Sequence, residues 1–269
     1  MSTASEYYRA GQLEQATQAA LQEVKANPGD VGRRCFLADL LCFAGDLDRA
    51  DRQLEAASQL EAFPGTALRR QLLRAELARR QLFNEGRPPE FSQAPGEELS
   101  LRLRAVVAAR EGDLVGATQL LNQAVEREPA LRGRCNGRPF EHFSDLDELT
   151  ASFFEMFTAT GKYYWVQFGD VQDIEFVPPR LTMDLLWRCA RLTLRAEGSA
   201  LPGVVYLPVL YHGSHLQPQA AAKLGRLTEW SGGGAEPFRG LGQRLFEVGE
   251  VQVPVLELGR VEFDPPGRN

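Results

Sequence analysis

The stretch Leu40-Leu41-Cys42-Phe43-Ala44-Gly45-Asp46-Leu47-Asp48-Arg49-Ala50 decides how the first half of the chain reads. Phe36, Leu37, Leu40, Leu41 and Phe43 recur at helical spacing until Gly45, a residue that ends helices by adopting a left-handed conformation. Asp46 then caps a second helix, which carries Leu47, Ala50, Leu54, Ala57 and Leu60 on one face. The same punctuation stands at Ala10-Gly11-Gln12-Leu13 with Ala16, and at Glu111-Gly112-Asp113-Leu114 with Ala117. The first two glycines are 34 residues apart and the next two 67, close to twice that; Pro28 and Pro129 each fall 17 residues after their own glycine. That is the period of a tetratricopeptide-like helical hairpin. The alanines are small because paired helices must approach closely there.

The third copy has Leu99, Leu101, Leu103, Val106 and Val107 before its glycine, and Leu114, Leu120, Leu121 and Val125 after it. Leu68 to Phe83 is a helical stretch without the signature and stands in for a degenerate unit. Residues Gly86 to Gly96, rich in proline, read as an exposed loop. Stacked hairpins leave a concave surface suited to a peptide or helix, so the leading expectation is binding, not catalysis.

A second break at Pro129 to Pro139 sets the expected boundary between a helical repeat domain, residues 1–135, and an α+β domain, residues 136–269. Beyond it, Ser144 caps an expected helix from Asp145 to Thr160, with Asp145 and Asp147 complementing its dipole in the first turn. Strands come next. Tyr163 to Phe168 and Val171 to Val177, separated by Gly169-Asp170, predict a hairpin. Ala190 to Ala196 alternates as a half-buried strand turning at Glu197-Gly198-Ser199, and Val204 to Val209 and Val251 to Phe263 add more. The fold class is therefore α+β: a TPR-like α-α superhelix followed by a small, mainly antiparallel β domain with helical additions.

Composition narrows the function. Of 269 residues, 43 % are hydrophobic and 25 % charged, as in ordinary globular proteins. The first 140 residues carry 19 basic and 19 acidic side chains, the remainder 11 and 17. Neither half has the basic excess of a nucleic-acid binder. The cluster Arg69, Arg70, Arg74, Arg79, Arg80 and Arg87 reads as a solvated helix face. No basic segment followed by an apolar core opens the sequence, and no run of about 18 apolar residues occurs; a cytoplasmic protein, without membrane or nucleic-acid partners, is expected. Four cysteines, Cys35, Cys42, Cys135 and Cys189, form no Cys-x-x-Cys pair and read as reduced core residues.

Candidate chemistry is thin. His212-Gly213-Ser214-His215 offers two imidazoles but no helical frame and no nearby acid, so it reads as a polar surface loop. Ser231-Gly232-Gly233-Gly234 and Gly240-Leu241-Gly242-Gln243-Arg244 lack the context of a phosphate loop and read as a linker and a turn. Neither a catalytic residue nor a metal or cofactor site emerges. Tyr163-Tyr164-Trp165, with Trp187 and Trp230, reads first as core; strand alternation sends Tyr164 opposite to its neighbours, and an aromatic face open to a partner is the alternative.

Taken together, the repeats, Gly161-Lys162-Tyr163-Tyr164-Trp165-Val166-Gln167-Phe168, Pro178-Pro179, Trp187, Thr228-Glu229-Trp230 and Gly240-Leu241-Gly242-Gln243-Arg244 resemble the ImpE/TagJ family of type VI secretion accessory proteins. The resemblance covers nearly the whole chain. It implies a cytoplasmic bacterial protein that binds the N-terminal helix of the small sheath subunit, TssB, and that bears on sheath assembly or on recycling by the ClpV ATPase. Two family arginines are absent here: Pro208-Val209-Leu210-Tyr211-His212-Gly213-Ser214 and Asp145-Leu146-Asp147-Glu148-Leu149 each lack one. On tetratricopeptide geometry, Asp39, Phe43, Arg102 and Arg110 line the inner face of the first helices and are the expected partner contacts. The rival expectation is a chaperone-like scaffold for another cytoplasmic client, such as a secreted effector. An enzyme would instead show a deep polar cleft lined by Glu229, Arg244 and His212 or His215.

Overall fold

The computed structural model describes residues 2–61, 63–195, 201 and 203–265. Its first half is helical: α1 Ala4–Arg9, α2 Leu13–Ala26, α3 Val31–Phe43, α4 Leu47–Leu60, α5 Pro64–Glu85, then the short strand β1 Glu90–Phe91, α6 Glu97–Arg110 and α7 Leu114–Val125. Each signature glycine sits just past a helix in the left-handed region, with φ of 77° at Gly11, 85° at Gly45 and 85° at Gly112. At Gly45 the ending is a Schellman motif: Asp46 N–H donates to Leu41 C=O at 2.9 Å and Gly45 N–H to Cys42 C=O at 3.0 Å. Asp46 and Asp113 then accept the Arg49 and Gly116 amides as N-caps. Ala16, Ala50 and Ala117 are fully buried where successive helices meet.

The second half is built mostly of strands: β2 Gly133–Cys135, β3 Arg138–Phe140, β4 Phe143–Asp145, β5 Phe153–Phe157, β6 Tyr163–Gln167, β7 Val171–Phe176, β8 Trp187–Leu194 and β9 Val204–Pro208. A one-turn helix, α8 Ala220–Lys223, precedes β10 Thr228–Gly233, β11 Glu236–Gly242, β12 Leu245–Val248, β13 Val251–Pro254 and β14 Arg260–Phe263. Nine strands form one sheet in the order β1-β6-β5-β9-β8-β7-β14-β2-β3; β10 pairs with β11, and β13-β12-β4 form a third sheet. All pairings are antiparallel except β1 with β6. Among the described residues no helix is long and apolar enough to cross a membrane.

The large sheet is covered on both sides. Phe153, Phe157, Tyr163, Trp165, Trp187 and Tyr206 face the helices and pack with Leu37, Phe43, Leu72 and Phe83 in one core. Phe154, Met156, Tyr164, Val166, Val205 and Leu207 point the other way, into a second core with Phe143, Phe246, Val255 and Val261. The side that the helices turn towards the second half is thus filled by the chain's own sheet.

Several expectations are overturned by this arrangement. Asp145 to Thr160 is not a helix but β4, a turn and β5. Phe153-Phe154-Glu155-Met156-Phe157 is buried at every position, and a strand between two cores needs apolar residues on both faces, which removes the alternation that would have marked it. Tyr163 to Phe168 and Val171 to Val177 are not a hairpin: β6 and β7 are separated by β5, β9 and β8 in the sheet, and a 3₁₀ turn at Phe168–Asp170 joins them. The loop from Gly86 to Gly96 contributes β1 to the sheet edge, pairing Glu90 with Tyr164 and Phe91 with Trp165. Val251 to Phe263 is two strands in different sheets. The turn expected at Glu197-Gly198-Ser199 lies outside the described residues.

The arginines of α5 are only in part the solvated face expected: Arg74 is exposed, as is Arg87 beyond the helix, but the others are engaged. Arg69 and Arg79 are buried, and Arg69 makes a two-point pair with Asp39 at 2.9 and 3.1 Å. Arg70 pairs with Asp51, and Arg80 donates to the Gly45 carbonyl at 2.8 Å. The cysteines are free, three buried and Cys189 partly so.

Candidate functional site

The densest chemistry lies where α5 meets the large sheet. Glu155, the one charged residue in β5, is fully enclosed and receives Arg79 through two hydrogen bonds of 2.9 and 2.8 Å. It also accepts from Arg244 and from the Tyr163 hydroxyl, which in turn accepts the Trp165 indole N–H at 2.6 Å. Burial alone would raise the Glu155 pKa; the Arg79 and Arg244 guanidiniums overcome it and hold it at about 2. Arg244 reaches on to Asp145, which also binds the Tyr211 hydroxyl at 2.9 Å and the Thr150 hydroxyl at 3.1 Å. Burial pushes Asp145 up to about 6 against the pull of Arg244. Asp147 completes the chain, accepting Arg239 Nε at 2.9 Å and the Gly240 amide at 3.1 Å. The two acids expected in a helix's first turn therefore belong to a buried ionic network, and Arg244 and Arg239 supply the cations.

His212 and His215 are not on a surface loop. His212 stacks on Phe83 with ring centroids 4.3 Å apart, and His215 packs against the Gly45 turn. Burial, then the nearby arginines Arg79 and Arg239, drive His212 well below the usual imidazole pKa; burial and Arg80 bring His215 to about 4. Both are neutral at physiological pH. They border a cavity of about 30 Å³ with Arg79, Arg80, Trp187 and Tyr211, room for about one water. Neither Glu229 nor Arg244 borders it, so the residues named for a catalytic cleft are not brought together. Among the described residues no group of three or more His, Cys, Asp or Glu is placed to hold a metal.

The remaining motif residues build the frame. Thr228 donates to the Gln243 carbonyl at 2.7 Å, and the Gln243 amide donates to the Gly225 carbonyl at 2.7 Å. The Gly242 amide donates to Ser214 Oγ at 2.8 Å. Gly240 lies flat against the Tyr211 ring, which leaves no room for a Cβ. Trp230 stacks on Phe238 at 4.8 Å, and Glu229 is half-buried on β10. Tyr163 and Trp165 face one core and Tyr164 and Trp187 are likewise buried, as the core reading expects; the alternative of an aromatic face open to a partner does not hold.

Asp39, Phe43 and Arg102 are also inside. Asp39 is held by Arg69, Phe43 is fully buried, and Arg102 bonds Glu128 and the Glu148 carbonyl. They do sit on first helices, but the inner side of those helices is packed against the rest of the chain, which removes these three from the surface. Arg110 remains partly exposed, beside Glu111 and Gly86. Sequence reasoning missed the roles of Arg79, Glu155 and Tyr211; the available signal was a lone glutamate inside a run of phenylalanine and methionine.

Open surfaces lie elsewhere. A groove of about 680 Å³ runs between α2, the α3–α4 turn and α8, bordered by Gln15, Gln18, Leu21, Arg49 and Lys223. A cleft of about 490 Å³ opens between the end of α7, the start of α6 and the β3–β4 loop, bordered by Glu98, Glu128, Glu141 and Asp170.

The comparisons with known proteins fit this architecture. The family described as "ImpE protein" matches residues 137–262. The type VI secretion system accessory component TagJ of Pseudomonas aeruginosa is 31% identical over 264 residues, covering 97% of this chain and 91% of that protein. The crystal structure of protein VPA1032 from Vibrio parahaemolyticus superposes with a TM-score of 0.88 at 26% identity, covering 97% of each chain. With its motif residues holding one frame and its likeness to TagJ running nearly end to end, the chain belongs to the ImpE/TagJ family.

Proposed function

We propose that this chain is a non-enzymatic, cytoplasmic accessory component of a bacterial type VI secretion system. In this reading it binds the N-terminal helix of the small sheath subunit TssB and thereby influences sheath assembly or ClpV-dependent recycling. The observation that carries the reading is the 31% identity to TagJ across 97% of the chain. The geometry agrees with it: the motif acids, arginines and aromatics hold helices to sheet, while open grooves, those beside α2 and α7 among them, remain on the outside. Helical pairs of the tetratricopeptide type supply the scaffold, but partner docking falls on an outer surface, because the inner side is filled.

The test is a calorimetric titration of the full chain with a peptide covering the TssB N-terminal helix, backed by a pull-down from a strain with an active secretion system. Saturable binding and recovery of sheath subunits are expected. Recovery of a secreted effector with no sheath subunit would replace this reading with the scaffold alternative.

A further inference from the structure

The cleft beside α7 has an unbalanced charge that the fold does not use. Four carboxylates border it, from Glu98 on α6, Glu128 after α7, Glu141 in the β3–β4 loop and Asp170 after β6, and no lysine or arginine does. Glu128 is neutralised by Arg102. The other three form no ion pair among the described residues: Glu98 accepts from Gln167, Glu141 projects into solvent, and Arg195, the cation that influences Asp170, bonds the Gly169, Phe263 and Asp264 carbonyls instead. Burial and then the like charge of Glu98 raise the Asp170 pKa, and nearby Arg195 offsets them only in part.

The floor is apolar. Phe143 forms its base, Leu131 is half-buried in its wall, and Val125 at the rim is 59% exposed. Ser152 Oγ, in the same wall, is buried with no hydrogen-bond partner. An apolar floor and an anionic rim together suit a segment with an apolar side and cationic ends. The groove beside α2 lacks this bias, since Arg49 and Lys223 there oppose Glu14 and Asp46.

We infer that this cleft is where the partner docks, and that its occupant is a lysine- or arginine-bearing amphipathic segment of the sheath subunit. The inference rests on the function proposed above and adds the place and the chemistry of contact. Opposite charge across the rim sets register and speeds encounter, while burial of Val125 and the exposed part of Leu131 supplies affinity.

The experiment titrates the TssB N-terminal peptide into the wild-type chain, the Glu98→Gln/Glu141→Gln variant, a Val125→Asp variant and a Leu21→Asp variant in the other groove, each at low and at high salt. Both glutamates lie on the cleft and outside the buried network, and near-UV circular dichroism confirms that each variant is folded. Binding weaker by about tenfold in the first two variants at low salt, narrowing at high salt, with Leu21→Asp unaffected, is the expected result. Wild-type binding that the cleft variants leave unchanged, or that Leu21→Asp abolishes, overturns this placement and leaves the proposed function standing. Absence of wild-type binding overturns both.

Discussion

Replacing Glu155 with glutamine keeps the size of the side chain and removes its charge. Arg79 and Arg244, whose side chains are 3% and 2% exposed, then face a neutral amide. Arg244 keeps Asp145, but Arg79 is left with Glu76 at 3.6 Å and the Leu210 carbonyl. One buried guanidinium thereby loses its two-point partner and keeps only a longer pair, and removing one partner of a buried pair costs about 3–5 kcal/mol. For a protein of this size that is a fall in Tm of about 10 °C, read by urea and thermal unfolding followed at the tryptophans. The double variant Arg79→Met/Glu155→Leu removes both charges and restores apolar contact, so it costs less than Glu155→Gln alone. A loss below about 1 kcal/mol for Glu155→Gln, or a double variant whose cost equals the sum of its parts, would show that the network does not hold α5 to the sheet.

Alanine at both Asp39 and Arg102 destabilises the protein by several kcal/mol, since Arg69 loses its two-point partner and Glu128 its cation; a melting curve matching the wild type would contradict their burial. Gly45→Ala costs more than Gly112→Ala by about 1 kcal/mol or more. Both have φ of 85°, but a Cβ at Gly45 meets the His215 ring at 2.5 Å whereas one at Gly112 meets nothing within 4 Å; equal costs in urea denaturation would refute the packing of His215. Acid destabilises through the half-buried histidines His212 and His215. Their folded pKa lies below the unfolded value near 6.5, so the unfolded state binds more protons and stability falls as pH drops from about 6.5 towards 4. Asp145, raised to about 6 and facing Arg244, works in the opposite sense over that window, so the test is a difference: His212→Phe keeps the stack on Phe83 and flattens the pH dependence by up to about 1.4 kcal/mol per pH unit. An unchanged slope would place His212 in solvent.

The helical half was legible because its signals are local. A glycine that must be left-handed, an aspartate that caps and an alanine that lets helices touch each act within a few residues, and at Gly45 all three occur in sequence. The sheet was less legible because its determinants are non-local. Phe153-Phe154-Glu155-Met156-Phe157 shows no alternation when both faces are buried, and Gly169-Asp170 looks like any hairpin turn although its two strands have three others between them. Asp145 and Asp147 carried an adequate local explanation as helix-start acids, which hid their partners Arg244 and Arg239 about 90 residues later. The motif residues were found by resemblance, yet their roles as internal ties became visible only with the topology.

That the same ties fill the inner side of the helices constrains where any partner binds. Seating a foreign helix there would require separating α5 from β5, exposing Phe83, Phe153, Trp165 and Trp187 and leaving Arg79 and Glu155 unpaired. Burial of four such side chains is worth about 1.5–3 kcal/mol each, and the direct pairing of Arg79 with Glu155 would be lost as well. A peptide binding at micromolar affinity contributes about 8 kcal/mol in total, which is no more than the cost of the separation. Displacement therefore requires the incoming helix to rebury those same side chains before any net affinity remains. The cleft beside α7 needs no such rearrangement, and it combines an apolar floor with carboxylates that form no ion pair among the described residues, which is why docking is proposed there.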